Sequence, residues 1–240
     1  MRTDYQHRSE AWVNEHYVNS KARGGVGWAH IPDKMLLACD RMEALIRRYP
    51  PPGGRMLEIG CGAGDISVML APRGLFTRIH GLDISETAIA WAREKAKQAG
   101  LAVQFDAADM VELRGVRDGS FDAVIAFACL HWIIGDDRRG CLGNIRRVLA
   151  PGGRFYLWTS CRDAAVTEPI ASEGCDFDPE TEILMRNNLP YFHLRTPEGV
   201  QAEIREAGLS LLHWDVDEKE PDDSPYFLGA VIGIAERPAP

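Results

Sequence analysis

The apolar positions of this chain change period several times, and each change predicts an element. From Pro32 to Tyr49 they recur every three to four residues, with Met35, Leu36, Cys39, Met42, Leu45 and Ile46 on one face of an expected amphipathic helix. Pro32 suits the first helical position, where its missing N–H costs nothing. After the connector PPPGG at 50–54, the run Met56, Leu57, Ile59 is short and nearly unbroken, as in a strand buried on both faces. Gly60, Gly62 and Gly64 follow at once, and helical spacing returns through Ile66, Met69 and Leu70. The alternation continues with a strand over RIHGLDIS (78–85), a helix from Glu86 to Gly100 capped by Ser85, and a strand over AVQFDAAD (102–109). A fourth strand and its exit cover SFDAVIAFACLHWI (120–133), a helix covers DDRRGCLGNIRRV and stops at Pro151, and a fifth strand covers RFYLWTS (154–160). Thr196-Pro197 opens a last helix to Gly208, and two strands follow at 209–216 and 226–237, joined by a charged loop. This order predicts an α/β fold: a doubly wound, seven-stranded sheet ending in an antiparallel hairpin. Two stretches keep no clean period. Residues 1–31 are polar with scattered aromatics, Tyr5, Trp12, Tyr17 and Trp28, and predict a short helix over 10–19 broken by RGGVGW. Residues 161–195, rich in Asp, Glu and Pro, read as an insertion after the fifth strand with a short helix near 179–187.

The strand–glycine turn–helix at 55–70 carries the first chemical signal. Such a turn needs torsions that glycine reaches cheaply, and the absent side chains let a ligand approach the main chain. The spacing is G-x-G-x-G, with Asp65 where the dinucleotide fingerprint G-x-G-x-x-G has its third glycine. An acid there repels a pyrophosphate and suits a ligand with a cationic or zwitterionic end. Glu58 adds a second carboxylate beside the turn. Asp83, 19 residues after Gly64 and at the tip of the second strand, is placed to accept both hydroxyls of a ribose. Asp109 at the end of the third strand suits an adenine amino group, and the Met110 backbone N–H suits the ring.

In this order and spacing LEIGCGAG, GLDIS, AAD, FDAVIAFACLHW and LAPGG resemble the class I S-adenosylmethionine (SAM)-dependent methyltransferases of small-molecule type, over about residues 32–237. The resemblance implies a Rossmann-like single domain over 1–240, with residues 1–31 as a helical lid and 161–195 as a substrate cap. It implies SAM as cofactor and S-adenosylhomocysteine as product. By position, Glu58, Gly60, Cys61, Gly62 and Gly64 would line the methionine part, with Ala126 and Phe127 beside it. Asp83 would take the ribose, Ile84 would flank the adenine, and Asp109 and Met110 would bind it. Tyr17 or Trp28 would close over the sulfonium, where a cation against an aromatic face gains roughly 0.5–2 kcal/mol. The acceptor would be an oxygen or nitrogen nucleophile of a small molecule, in specialised metabolism. The alternatives are transfer to a protein or tRNA, SAM binding without transfer, and nicotinamide chemistry, which the glycine spacing disfavours.

His131, just past the fourth strand, is the candidate general base, since its ordinary pKa lies near neutrality; the opposing expectation is a packed histidine beside Trp132. His30 and His193 are expected at the surface. The formal charge of -8, with no basic run, argues against a non-specific grip on nucleic acid. No apolar run reaches the length of a membrane span, and the N-terminus lacks the apolar core of a signal peptide, so a cytoplasmic protein is expected. Its six cysteines contain no C-x-x-C pair and read as reduced thiols, with no metal motif among Cys129, Cys141, Cys161 and Cys175.

Overall fold

The computed structural model describes residues 4–23, 25, 27, 32–172, 175–218 and 227–239, so Trp28 and His30 lie outside the described residues. Helices α1 (Asp4–Ala22) and α2 (Pro32–Arg48) precede β1 (Arg55–Ile59), α3 (Asp65–Leu70), β2 (Arg78–Asp83), α4 (Glu86–Gln98), β3 (Val103–Ala107), β4 (Phe121–Phe127), α5 (Asp136–Val148) and β5 (Leu149–Arg162). Four short strands follow: β6 (Ile170–Ser172), β7 (Cys175–Asp178), β8 (Ile183–Arg186) and β9 (Leu189–His193). The chain ends with α6 (Pro197–Glu206), β10 (Ser210–Glu218) and β11 (Phe227–Glu236).

A seven-stranded sheet in the order β10-β11-β5-β4-β1-β2-β3 carries the fold. β1 to β5 pair in parallel, while β11 lies antiparallel to both β5 and β10. The expected hairpin is therefore present. The strands of the parallel core are apolar on both faces because both are covered. Leu57 and Ile59 of β1, with Val124 and Ala126 of β4, meet Cys141, Leu142 and Ile145 of α5 and Val200 and Ile204 of α6. On the other face Met56, Ala123 and Ile125 meet Cys39, Met42 and Ile46 of α2 and Ile66 and Leu70 of α3. Because β2 and β4 flank β1 on opposite sides, the strand order reverses at β1, and a crevice opens at the carboxyl ends of the strands there.

Four expectations change. α1 spans 19 residues, well beyond the expected 10–19, and docks on α4. Asn14 Oδ1 accepts from Ser85 Oγ at 2.6 Å, Tyr17 meets Trp91 edge-on at 6.4 Å, and Lys21 pairs with Glu94 at 2.6 Å. Leu36 falls off the buried face of α2 and is exposed. No helix forms at 179–187. Instead β6 to β9 build an antiparallel sheet of their own, with Phe177, Leu184 and Leu194 buried as its core. Its β8–β9 turn runs through Asn187 and Asn188 at φ of 52° and 60°, a left-handed pair that asparagine tolerates better than most residues. The same sheet buries His193, expected at the surface; burial lowers its pKa to about 4, and the positive charges of Arg138 and Arg195 add to the fall.

Candidate active site

The glycine turn is forced by its surroundings. Gly60, Gly62 and Gly64 have φ of 63°, 53° and 77°, a region that favours glycine. A Cβ on Gly60 would lie 2.6 Å from Cys129 Cβ, and one on Gly62 would lie 2.2 Å from Tyr17 Oη. One on Gly64 would strike Phe105 and Ala92 instead, on the side of the turn that packs into α4 and β3. Cys61 extends the β1–β2 pairing by donating its N–H to Leu82 O at 2.9 Å.

Asp83 ties two loops together. Its Oδ2 accepts the Gly62 N–H at 2.8 Å and its Oδ1 accepts the Ser85 N–H at 2.9 Å. Burial raises its pKa, and the backbone N–H groups of Ser85, Gly62 and Ile84 oppose the rise. With three main-chain N–H groups on its two oxygens, the carboxylate retains a lone pair for a ligand hydroxyl. Glu58 is fully buried beneath the turn. Its Oε2 accepts both the N–H (3.0 Å) and the Oγ–H (2.5 Å) of Ser67, the third residue of α3, and so satisfies one of that helix's exposed N–H groups. Burial pushes the Glu58 carboxyl up to about 8; the Ser67 hydrogen bond opposes this, and Asp65 and Asp83 add to it. Asp65 itself pairs with Lys95 at 2.5 Å. At the tip of β3, Asp109 Oδ1 accepts the Val111 N–H at 2.8 Å.

These groups surround one cavity of about 260 Å³ at the reversal of strand order. Of the residues predicted from sequence, Tyr17, Glu58, Gly60, Cys61, Gly62, Asp83, Ile84, Asp109, Met110 and Phe127 line it. Gly64, Ala126 and His131 do not: Gly64 faces Phe105, and Ala126 packs into the core on the α5 side. Buried His131 sits in the turn Leu130–Trp132. Its Nδ1 accepts the Ser160 N–H at 3.3 Å and lies 3.2 Å from Thr159 Oγ1, which leaves its proton on Nε2. Burial lowers its pKa to about 3, helped by the positive charge of Arg138, so the ring is neutral at physiological pH.

Sequence reasoning missed several lining residues, among them Val13, Ala128, Cys129, Trp132, Ile133 and Asp137. Trp132 follows His131 and Cys129 precedes it by two residues, but the exit from β4 has no periodicity to show which side chains turn inward. Ala128 at φ 52° bends the chain there, a conformation no sequence pattern announced. Arg138, only 1% exposed, fixes the turn that bears Trp132: its Nη1 donates to Leu130 O at 2.7 Å and its Nε to Glu203 Oε2 at 2.8 Å.

The cavity wall is chemically one-sided. Five carboxyl groups line it (Glu58, Asp65, Asp83, Asp109 and Asp137), and no Lys, Arg or His does among the described residues. A phosphate would be repelled, whereas a ligand bearing positive charge, ribose hydroxyls and an aromatic base suits the set. Gly60 and Gly62 expose main chain to that space, and a Cβ on either would collide with Cys129 or Tyr17 in its wall.

Comparison with known proteins agrees. Residues 57–157 match the family profile of a methyltransferase domain. A ubiquinone biosynthesis O-methyltransferase of Xanthomonas axonopodis pv. citri is 28% identical over 182 residues, 75% of this chain and 73% of that one. A demethylmenaquinone methyltransferase of Thermus thermophilus is 42% identical over 104 residues, 43% of this chain and 46% of that one. The crystal structure of a SAM-dependent methyltransferase from Methanosarcina mazei superposes with a TM-score of 0.64 at 24% identity, covering 82% of this chain and 98% of that one. Among the described residues no helix is long and apolar enough to cross a membrane.

Proposed function

Since this chain belongs to the class I SAM-dependent methyltransferases, we propose that it methylates an oxygen or nitrogen nucleophile of a small molecule. The observation that carries this reading is the cavity itself: it lies at the carboxyl ends of β1, β2 and β4, with Val13 and Tyr17 of α1 in its wall. A cavity of about 260 Å³, shared with the cofactor, leaves room for a small acceptor rather than a macromolecular one. The two relatives are named for ubiquinone biosynthesis and for demethylmenaquinone, which also supports a small acceptor.

SAM supplies an electrophilic methyl on a sulfonium when bound. The protein binds, orients and excludes water. In this reading Asp83 takes the ribose hydroxyls, Ile84 flanks the adenine, and Asp109 and the Met110 N–H read its edge. Glu58, Gly60, Cys61, Gly62 and Phe127 surround the methionine part, and Tyr17 closes over the turn from α1. Gly64 and Ala126 support the wall from behind. Alignment of nucleophile and methyl then provides much of the acceleration. His131 serves as a packing residue that holds the β4 exit against Thr159 and Ser160, not as the base. Its accepting nitrogen is already engaged.

The test uses SAM labelled on the methyl group, incubated with protein and separate pools of small metabolites, proteins and RNA. Label is expected in the small-molecule pool. Label only in protein or RNA, or in no pool at saturating SAM, overturns the proposal.

A further inference from the structure

We infer that Asn14 of α1 is a positioning residue for the cofactor's ribose: it completes a cap on α4 that is divided between two helices, and through Ser85 it holds Asp83 in place. This deepens the methyltransferase reading of the cavity and rests on it.

The start of α4 carries the argument. A helix begins with N–H groups that have no partner in its own first turn. Here they are met from two directions. The Ala88 N–H donates to Ser85 Oγ at 3.1 Å, the usual N-cap bond. The Thr87 N–H donates to Asn14 Oδ1 at 3.3 Å, from a residue 73 positions away along the chain. The same Asn14 oxygen accepts the Ser85 hydroxyl hydrogen at 2.6 Å. Ser85 Oγ thus accepts from Ala88 while donating to Asn14, and its hydroxyl is fixed in one orientation. The main chain of Ser85 then reaches the site. Its N–H donates to Asp83 Oδ1 at 2.9 Å, and Asp83 Oδ2 accepts the Gly62 N–H at 2.8 Å. Ser85 is fully buried, so its hydroxyl has no bulk water to turn to if Asn14 is removed.

The seating of α1 makes this link matter. Its apolar contact with α4 is small, Tyr17 against Ala88 and Trp91. Two polar attachments add to it on the same face: Asn14 at the start of α4 and, two turns on, Lys21 paired with Glu94 at 2.6 Å. A helix held this lightly responds to the loss of one attachment. Tyr17, a turn on from Asn14, lies over Gly62, whose N–H is the other donor to Asp83. Asn14 therefore governs both neighbours of the ribose acceptor: Ser85 by a hydrogen bond, and the ring over Gly62 through the register of α1. Occupation of Asp83 and seating of α1 are coupled, each favouring the other.

The test is a double-mutant cycle read as S-adenosylhomocysteine affinity by calorimetry. Asn14→Ala alone is expected to weaken binding about ten-fold. In protein already carrying Asp83→Ala the same change should cost less than about two-fold, because the group it acts through is gone. Asn14→Asp keeps an oxygen for both donors and should stay within about three-fold of wild type. A merely structural role predicts equal losses in the two backgrounds, and equal losses overturn the inference. So does wild-type affinity in Asn14→Ala, or Asn14→Asp binding as weakly as Asn14→Ala. If Asp83→Ala does not fold or binds too weakly to measure, the cycle is run on the ligand instead. The preference for adenosine over 2′,3′-dideoxyadenosine should then fall at least about five-fold in Asn14→Ala, and an unchanged preference overturns the inference. Failure of S-adenosylhomocysteine to bind the wild-type protein is a separate result, and it rejects the methyltransferase reading itself.

Discussion

The two ends of the cavity are built by opposite means. At the glycine turn the constraint is backbone: three positive φ values, a main-chain N–H on each oxygen of Asp83, and two Cβ positions that neighbouring atoms forbid. At the Trp132 end the constraint is side-chain packing among α1, the β4 exit and β9. A backbone site tolerates almost no substitution and so suits an invariant ligand. A side-chain site changes shape one residue at a time and suits a ligand that differs among relatives.

The sharpest way to break this contrast is Gly62→Val. The added carbons would meet Tyr17 Oη at a φ of 53°, and S-adenosylhomocysteine affinity should fall by at least about 100-fold, or 2.7 kcal/mol, in calorimetry. Near-normal affinity would show that the turn is not constrained as described. Asp83→Ala comes next. It removes the proposed ribose acceptor and leaves the Gly62 and Ser85 N–H groups without their partner, so affinity should drop about 10- to 100-fold. Thermal unfolding should also register a loss of about 1–3 kcal/mol.

A subtler prediction concerns protons. Glu58, with its pKa near 8, is mostly protonated at pH 7 in the free protein. A cationic amino group bound beside it favours the carboxylate, so SAM binding should release part of a proton at pH 7. Calorimetry in buffers of different ionisation enthalpy reads that release, which should shrink toward zero at pH 9 and disappear in Glu58→Gln. The same group gives a stability signature. Its folded pKa lies above the ordinary 4.5, so the stability it contributes is full below pH 4.5 and declines as pH rises through 8.

The smallest expected effect on chemistry is at His131. His131→Gln keeps an acceptor for the Ser160 N–H, and turnover should remain within about three-fold of wild type with an unaltered pH profile between 6 and 8. Its effect should appear in stability instead. The folded pKa of about 3 lies below the ordinary 6.5, so the wild-type protein loses stability as pH falls from 6.5 toward 3. The variant should lose less over that window. A large loss of turnover would return His131 to the role of base.

The same contrast explains what could be read in advance. Strand, turn and helix at 55–70 are contiguous, so the local pattern named nearly every residue there, along with Asp83 and Asp109 at the next strand tips. The aromatic end is assembled from positions 12, 132, 191 and 192, and no local pattern joins them. The cap was misread for a related reason. Its strands are three to five residues long, too short to establish a period of two, so a stretch rich in Asp, Glu and Pro read as an insertion with one short helix. Asn187-Asn188 was the legible hairpin signal within it. His131 shows another limit: sequence placed it at the rim, but only packing against Thr159, Ser160 and Phe192 revealed that it faces inward.

The cap leaves and rejoins the large sheet at almost the same point. The Arg162 N–H donates to Arg195 O at 2.9 Å, and Glu182 receives both Arg162 and Arg195 across the neck. Everything between those two residues is thus a loop with closed ends, an excisable cassette. Ends already in contact let the segment be exchanged with little strain on β5 or α6, provided the replacement keeps a carboxylate for Arg162 and Arg195 and an apolar face for Trp132. Exchange of residues 163–194 for the corresponding stretch of a relative should move acceptor preference to that of the donor and leave S-adenosylhomocysteine affinity unchanged.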